Sequence, residues 1–113
     1  MISDVALDAY DTLVATHPEL ERKGKTMPYT SVNGHMSSFL APDGTLALRL
    51  SSEDRVAFVD RYGSEPVVQH GAVLKEYVAV PDALLHRLEE LAPWFDGSVA
   101  YVGGLKPKAK HPA

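Results

Sequence analysis

The chain has 113 residues, which suits one domain, and a globule of that size buries roughly two-thirds of its unfolded surface. Hydrophobic residues make up 45% and charged ones 23%, and no apolar run approaches the ~18 residues of a membrane span. A net charge of −4 disfavours non-specific DNA binding, and zero cysteines exclude disulfides, thiolate catalysis and cysteine-held zinc or iron–sulfur sites.

The opening "MISDVALDAYDTL" is acidic and has no basic stretch, so a secretory signal is not expected and a cytoplasmic protein is. From Ser3 to Thr16, Val5, Ala6, Ala9, Tyr10, Leu13 and Val14 recur at helical spacing. Ser3 or Asp4 is the expected cap, and Pro18 marks the end. After a polar link the period changes to two. "TMPYTSV" reads as a strand with Met27 and Tyr29 on one face, and Asn33-Gly34 is the strongest two-residue hairpin signal. "HMSSFL" runs back, "APDG" (Ala41 to Gly44) turns again, and "TLALRL" alternates. Leu46, Leu48 and Leu50 are expected inward; Thr45, Ala47 and Arg49 outward.

"SSEDRVAFVDRYG" predicts a helix opened by Ser51 with Asp54 and closed by Gly63, with Val56, Val59 and Tyr62 as its buried stripe. "PVVQ" and "VLKEYVAV" are two further strands turning at His70-Gly71. "PDALLHRLEELA" predicts a helix with Leu84, Leu88 and Leu91 on one side and Leu85 beside them. Pro93 is expected to interrupt it, and a short last helix carries Trp94, Phe95, Val99 and Val102. Trp94 is the expected anchor of that helix on the sheet. The sum is a single α+β domain over residues 1–105: an antiparallel sheet, made of a three-stranded meander plus two further strands, covered by helices. Residues 106–113 are expected to be a flexible basic tail.

Candidate chemistry is sparse. Gly24-Lys25-Thr26 matches the end of a nucleotide-binding loop, but Glu19 stands where the first glycine belongs and a strand is expected where the phosphate-cradling helix should start. Nucleotide binding there is not expected. The five histidines lack metal-ligand spacing, and His17, His86 and His111 read as surface residues. His35 and His70, at strand–turn junctions, are candidates to border a groove for a small molecule. Glu89 and Glu90 are neighbours on a helix and read as a solvated face. Tyr29, Phe39 and Tyr77 read as core and not as a base-stacking platform, since acidic residues and serines surround them. Neither a catalytic group, nor a cofactor, nor a metal site is expected.

"GHMSSFLAPDGTLALRL", "SEDRVAFVDRYG", "YVAVPDALL" and "LAPWFDGSVAYV" come in the order and spacing of one known family. From about Asn33 to Leu105 the chain resembles the N-terminal domain of the TfoX/Sxy competence regulators and their small stand-alone relatives. It departs from that pattern where Ser31 to His35 replace the usual Phe-Gly-Gly, and the helical second domain of the full-length regulators is not in this sequence. The resemblance implies a compact interaction module with no catalytic site, some relatives acting as transcriptional co-regulators through protein contacts. The expected function is therefore a non-enzymatic protein-interaction module, binding another protein or self-associating as a homodimer. Its candidate contact residues are Arg22, Lys23, Lys25, His35, His70, Lys106, Lys108 and Lys110. Direct DNA binding through the basic "ERKGK" is the alternative, and small-molecule binding a weaker one.

Overall fold

The structure, a computed structural model, describes residues 4–24, 27–69 and 71–105. Its elements are α1 (Asp4–Val14), β1 (Tyr29–Val32), β2 (His35–Leu40), β3 (Leu46–Arg49), α2 (Ser52–Tyr62), β4 (Pro66–Gln69), β5 (Ala72–Val80), α3 (Asp82–Leu85) and α4 (Leu88–Gly103). The fold is α+β, with a five-stranded antiparallel sheet in the order β1-β2-β3-β5-β4 packed with helices.

Turn chemistry produces the meander. Asn33 and Gly34 both take positive φ (54° and 82°), the twist a two-residue hairpin needs, and Val32 faces His35. In the second turn Gly44 N–H donates to Ala41 O and Ala41 N–H to Thr45 O, each at 2.8 Å. Asp43 Oδ1 accepts from Thr45 N–H at 2.9 Å, which uses the aspartate's short reach. The last two strands do not simply extend this row. β5 pairs with β3, in the register Leu46↔Val80 to Arg49↔Tyr77, and leaves β4 at the edge.

Alternation along β3 sends Leu46 and Leu48 into a cluster with the helices, joined by Leu40, Leu50, Val78 and Val80. The expectation that Ala47 faces outward is corrected: it is 1% exposed. Its neighbours across the ladders are Phe39 and Ala79, and this second face of the sheet forms its own apolar cluster with Ala41 and Val67. Met27, Tyr29, Met36 and Tyr77 pack against that cluster, so the three aromatic residues do serve as packing. Every buried residue of the helices except the α4 residues Ser98 and Val102 belongs to the first cluster.

α2 keeps its predicted ends but not its predicted face, and α1 stops at Val14, before the expected Thr16. Ser51 Oγ accepts from Asp54 N–H (3.2 Å), and Gly63 closes α2 in the left-handed region with its N–H on Val59 O (2.8 Å). The buried residue of α2 is Phe58, however, with Tyr62 half-buried four residues later on the same face. Val56 and Val59 are 68% and 44% exposed. The Phe58 ring meets Tyr62 at 4.8 Å and Trp94 at 5.1 Å between centroids, and a phenyl group buries more area than a valine would. In α1, Ala6, Tyr10, Leu13 and Val14 are buried while Val5 is exposed; Ser3 lies outside the described residues.

The helical break also moves. The chain leaves the helix at His86 and Arg87, and α4 runs through Pro93. A proline inside a helix costs the hydrogen bond to the carbonyl four residues back, here Glu89. Pro93 and Glu89 are both solvent-exposed residues, where water can serve that carbonyl. Breaking earlier lets Leu84 and Leu85 of α3 and Leu91 and Phe95 of α4 all reach the core. Trp94 is half-buried, packs against the cluster between helices and sheet, and lies edge-on to Phe58 and Tyr62, so it also joins α4 to α2.

A chain of hydroxyls crosses the interior. Tyr10 Oη is 2.7 Å from Ser38 Oγ, and Thr30 Oγ1 is 2.6 Å from Ser38 Oγ and 2.7 Å from Ser37 Oγ. Ser98 Oγ donates to Ser37 O at 2.9 Å. These side chains tie α1, β1, β2 and α4 together, and no buried side-chain polar atom among the described residues lacks a partner.

Candidate functional site

Gly24 has a structural task. Its φ is +87°, and the turn it makes lets Lys23 and Tyr29 exchange backbone hydrogen bonds of 2.9 and 2.8 Å. An added Cβ would lie 2.5 Å from Met27 O and 3.1 Å from Tyr29 Cδ1. The turn leads into β1, so the strand stands where a phosphate-binding loop would open a helix. Gly24→Ala is expected to lose more than the ~1–2 kcal/mol of a left-handed backbone alone, measured by urea denaturation, with the same loss whether or not Mg-ATP is present.

Of the predicted contact residues the structure describes three, Arg22, Lys23 and His35. The Arg22 guanidinium is paired with Asp11 of α1, which neutralises it. Lys23 is exposed, but its backbone belongs to the bridge with Tyr29. His35 is half-buried at the first position of β2. Lys25, His70, Lys106, Lys108 and Lys110 lie outside the described residues. Among the described residues no group of three histidines or carboxylates is placed to hold a metal, and no helix is long and apolar enough to cross a membrane.

A groove lies elsewhere, between α2 and β5. It measures about 530 Å³, and its apolar lining is Val56, Val59, Tyr77 and Val78. Arg55 and Lys75 supply positive charge to it, Asp60 and Glu65 negative. The local sequence explains its shape: α2 rests on Phe58, so Val56 and Val59, two residues before and one after it, are turned away from the core. Ser64 Oγ donates to Ala79 O at 2.6 Å and holds the link after α2 against β5. A smaller opening of about 240 Å³ lies over the second sheet face, lined by Phe39, Ala47, Val67 and Ala79 with Asp43 and Glu65.

Polar clusters lie beside these openings and elsewhere on the described surface. Arg49 Nε donates to Glu76 Oε1 and Tyr101 Oη to Glu76 Oε2, both at 2.7 Å, joining β3, β5 and α4. The Tyr101 hydrogen bond, with help from Arg49 against partial burial, holds the Glu76 carboxyl below its ordinary value. Glu90, expected on a solvated face, accepts from Tyr62 Oη at 2.7 Å. His17 is the residue that sequence reasoning missed. Its Nε2 is 2.6 Å from Asp96 Oδ1 and its Nδ1 is 3.1 Å from Glu19 Oε1. Asp96 stands 79 positions away, and no local pattern links residues at that distance.

Compared with known proteins, the chain matches no family profile, no curated protein and no solved structure.

Proposed function

We propose that this chain is a non-enzymatic protein-interaction module of the cytoplasm, acting as a transcriptional co-regulator through protein contacts, and that the α2–β5 groove is its contact surface. One observation carries the reading: α2 presents Val56 and Val59 to solvent beside an apolar groove, where neither valine contributes to the core. Adjacent exposed apolar residues rimmed by charge are a feature of protein-binding surfaces. The lining carries charges of both signs, which suits a protein segment with apolar anchors and mixed charges better than a polyanion. The resemblance to the TfoX/Sxy N-terminal domain supports the same class of function.

The test is the double variant Val56→Asp, Val59→Asp. Both side chains are exposed, so its melting is expected to stay near that of the parent. Association with a partner captured by the parent chain, or with a second copy seen by analytical ultracentrifugation, is expected to weaken by at least about tenfold, or ~1.4 kcal/mol. An unchanged affinity would remove the groove from the reading. A strictly monomeric parent that captures nothing at any salt would remove the module itself. Duplex DNA bound more tightly than about 10⁻⁵ M at low salt, with an affinity that falls as salt rises, would favour the DNA-binding alternative.

A further inference from the structure

His17 follows α1, and its ring lies edge-on to Phe95 of α4 with centroids 5.5 Å apart. Each ring nitrogen meets a carboxylate oxygen: Nε2 meets Asp96 at 2.6 Å and Nδ1 meets Glu19 at 3.1 Å. An ionised carboxylate only accepts hydrogen bonds. A neutral imidazole has one N–H and one lone pair, so it can satisfy one of these carboxylates while its lone pair faces the other. The imidazolium has two N–H groups and satisfies both. The geometry is therefore complete in one protonation state alone.

We propose that His17 is a proton-controlled tie: as an imidazolium it clasps Asp96 and Glu19 and holds the chain after α1 against α4, and on losing its proton it releases one carboxylate and loosens that segment. The segment is the connection that leads to β1, an edge strand of the sheet. Near His17 its backbone anchors are His17 N–H on Val14 O and Leu20 N–H on His17 O, both at 2.9 Å, with Leu20 packed on the core; further along, Arg22 pairs with Asp11 and Lys23 bridges to Tyr29. The charged groups acting on the ring are Asp96 from α4 and Glu19 from the turn; from α1, Asp11 is already engaged by Arg22. Partial burial of the ring opposes the charge, and the two carboxylates outweigh it, so the imidazolium persists above the ordinary histidine value of 6.5.

The sign of the pH effect follows. A raised folded-state value means that the tie is fully formed below 6.5 and is lost as pH rises through that raised value. Glu19 is held below its ordinary 4.5, by its own backbone hydrogen bond first and by His17 second, so its share is lost only as pH falls below 4.5. The tie is thus strongest between these two values and weakens on the alkaline side.

The experiment is side-chain NMR of the full chain with ring nitrogens observed, alongside hydrogen exchange at the Leu20 amide corrected for the intrinsic pH dependence. His17 is expected to hold both ring protons at pH 6.5 and to titrate above it. Leu20 exchange should accelerate over the same range. Asp96→Asn should lower the His17 midpoint and move the acceleration with it; Asp96 is exposed, so the variant should fold. Glu19→Gln, at another exposed position, should lower the midpoint independently. A parent midpoint at or below 6.5, a midpoint indifferent to both substitutions, or exchange at Leu20 that does not follow the titration would overturn the proposal. None of these readouts depends on the α2–β5 groove.

Discussion

Phe58→Ala is expected to destabilise the chain by about 3–5 kcal/mol in urea denaturation, whereas Val56→Ala should stay within about 0.5 kcal/mol. Phe58 is fully buried and its ring is packed by Tyr62 and Trp94, so truncation removes a large apolar group and leaves a cavity that two other rings border. Val56, two positions earlier, is 68% exposed and buries little that alanine would lose. The contrast decides how α2 is rotated. Equal losses at the two positions would place Val56 in the core and close the groove on which the functional proposal rests. Trp94→Ala should fall below Phe58→Ala, because Trp94 is half-buried whereas Phe58 is fully buried.

Thr30→Val is expected to cost about 1–3 kcal/mol although it preserves shape. Thr30 Oγ1 is shared by Ser37 Oγ and Ser38 Oγ, and all three residues are fully buried. Valine would take this partner from Ser37 Oγ in a place where water does not compensate, while Ser38 Oγ keeps Tyr10 Oη, and an unsatisfied buried hydroxyl carries its full desolvation penalty. Thr30→Ser should recover most of the loss, which a purely steric role would not allow. Tyr10→Phe should cost less, since Ser38 keeps Thr30. The same burial pushes the Tyr10 phenol up to about 12 from 10.0, against the hydrogen bonds that favour its ionised form. Stability is therefore expected to fall as pH climbs from 10 towards 12, and to fall less steeply in Tyr10→Phe; parallel urea titrations at those pH values check it.

What was legible in the sequence was local. Asn33-Gly34, the Ala41–Gly44 turn, Ser51 with Asp54, and Gly63 each specify backbone dihedrals or a hydrogen bond within a few residues. Those signals carried the element order and the α+β class. Faces were read less well, because periodicity names a stripe but does not rank its members. In α2 both Val56/Val59/Tyr62 and Phe58/Tyr62 satisfy a helical spacing, and the choice went to the larger ring once Trp94 was there to receive it. On β3, strict alternation led to Ala47 outward, yet the second sheet face is itself apolar. A small residue gives no sign of whether its neighbours across the ladder are aromatic.

The amino-acid sequence by itself determined the turns, the caps, the succession of strands and helices and the absence of any cysteine chemistry, since each depends on residue type or on contacts a few positions apart. Only the tertiary structure decided that β5 lies inside β4, that Gly24 serves a turn, that Val56 and Val59 border a groove and that His17 stands between Asp96 and Glu19. Those outcomes depend on which distant segments compete for the same apolar face, or on groups 79 residues apart meeting where the chain after α1 lies against α4, and chain order contains no term for either.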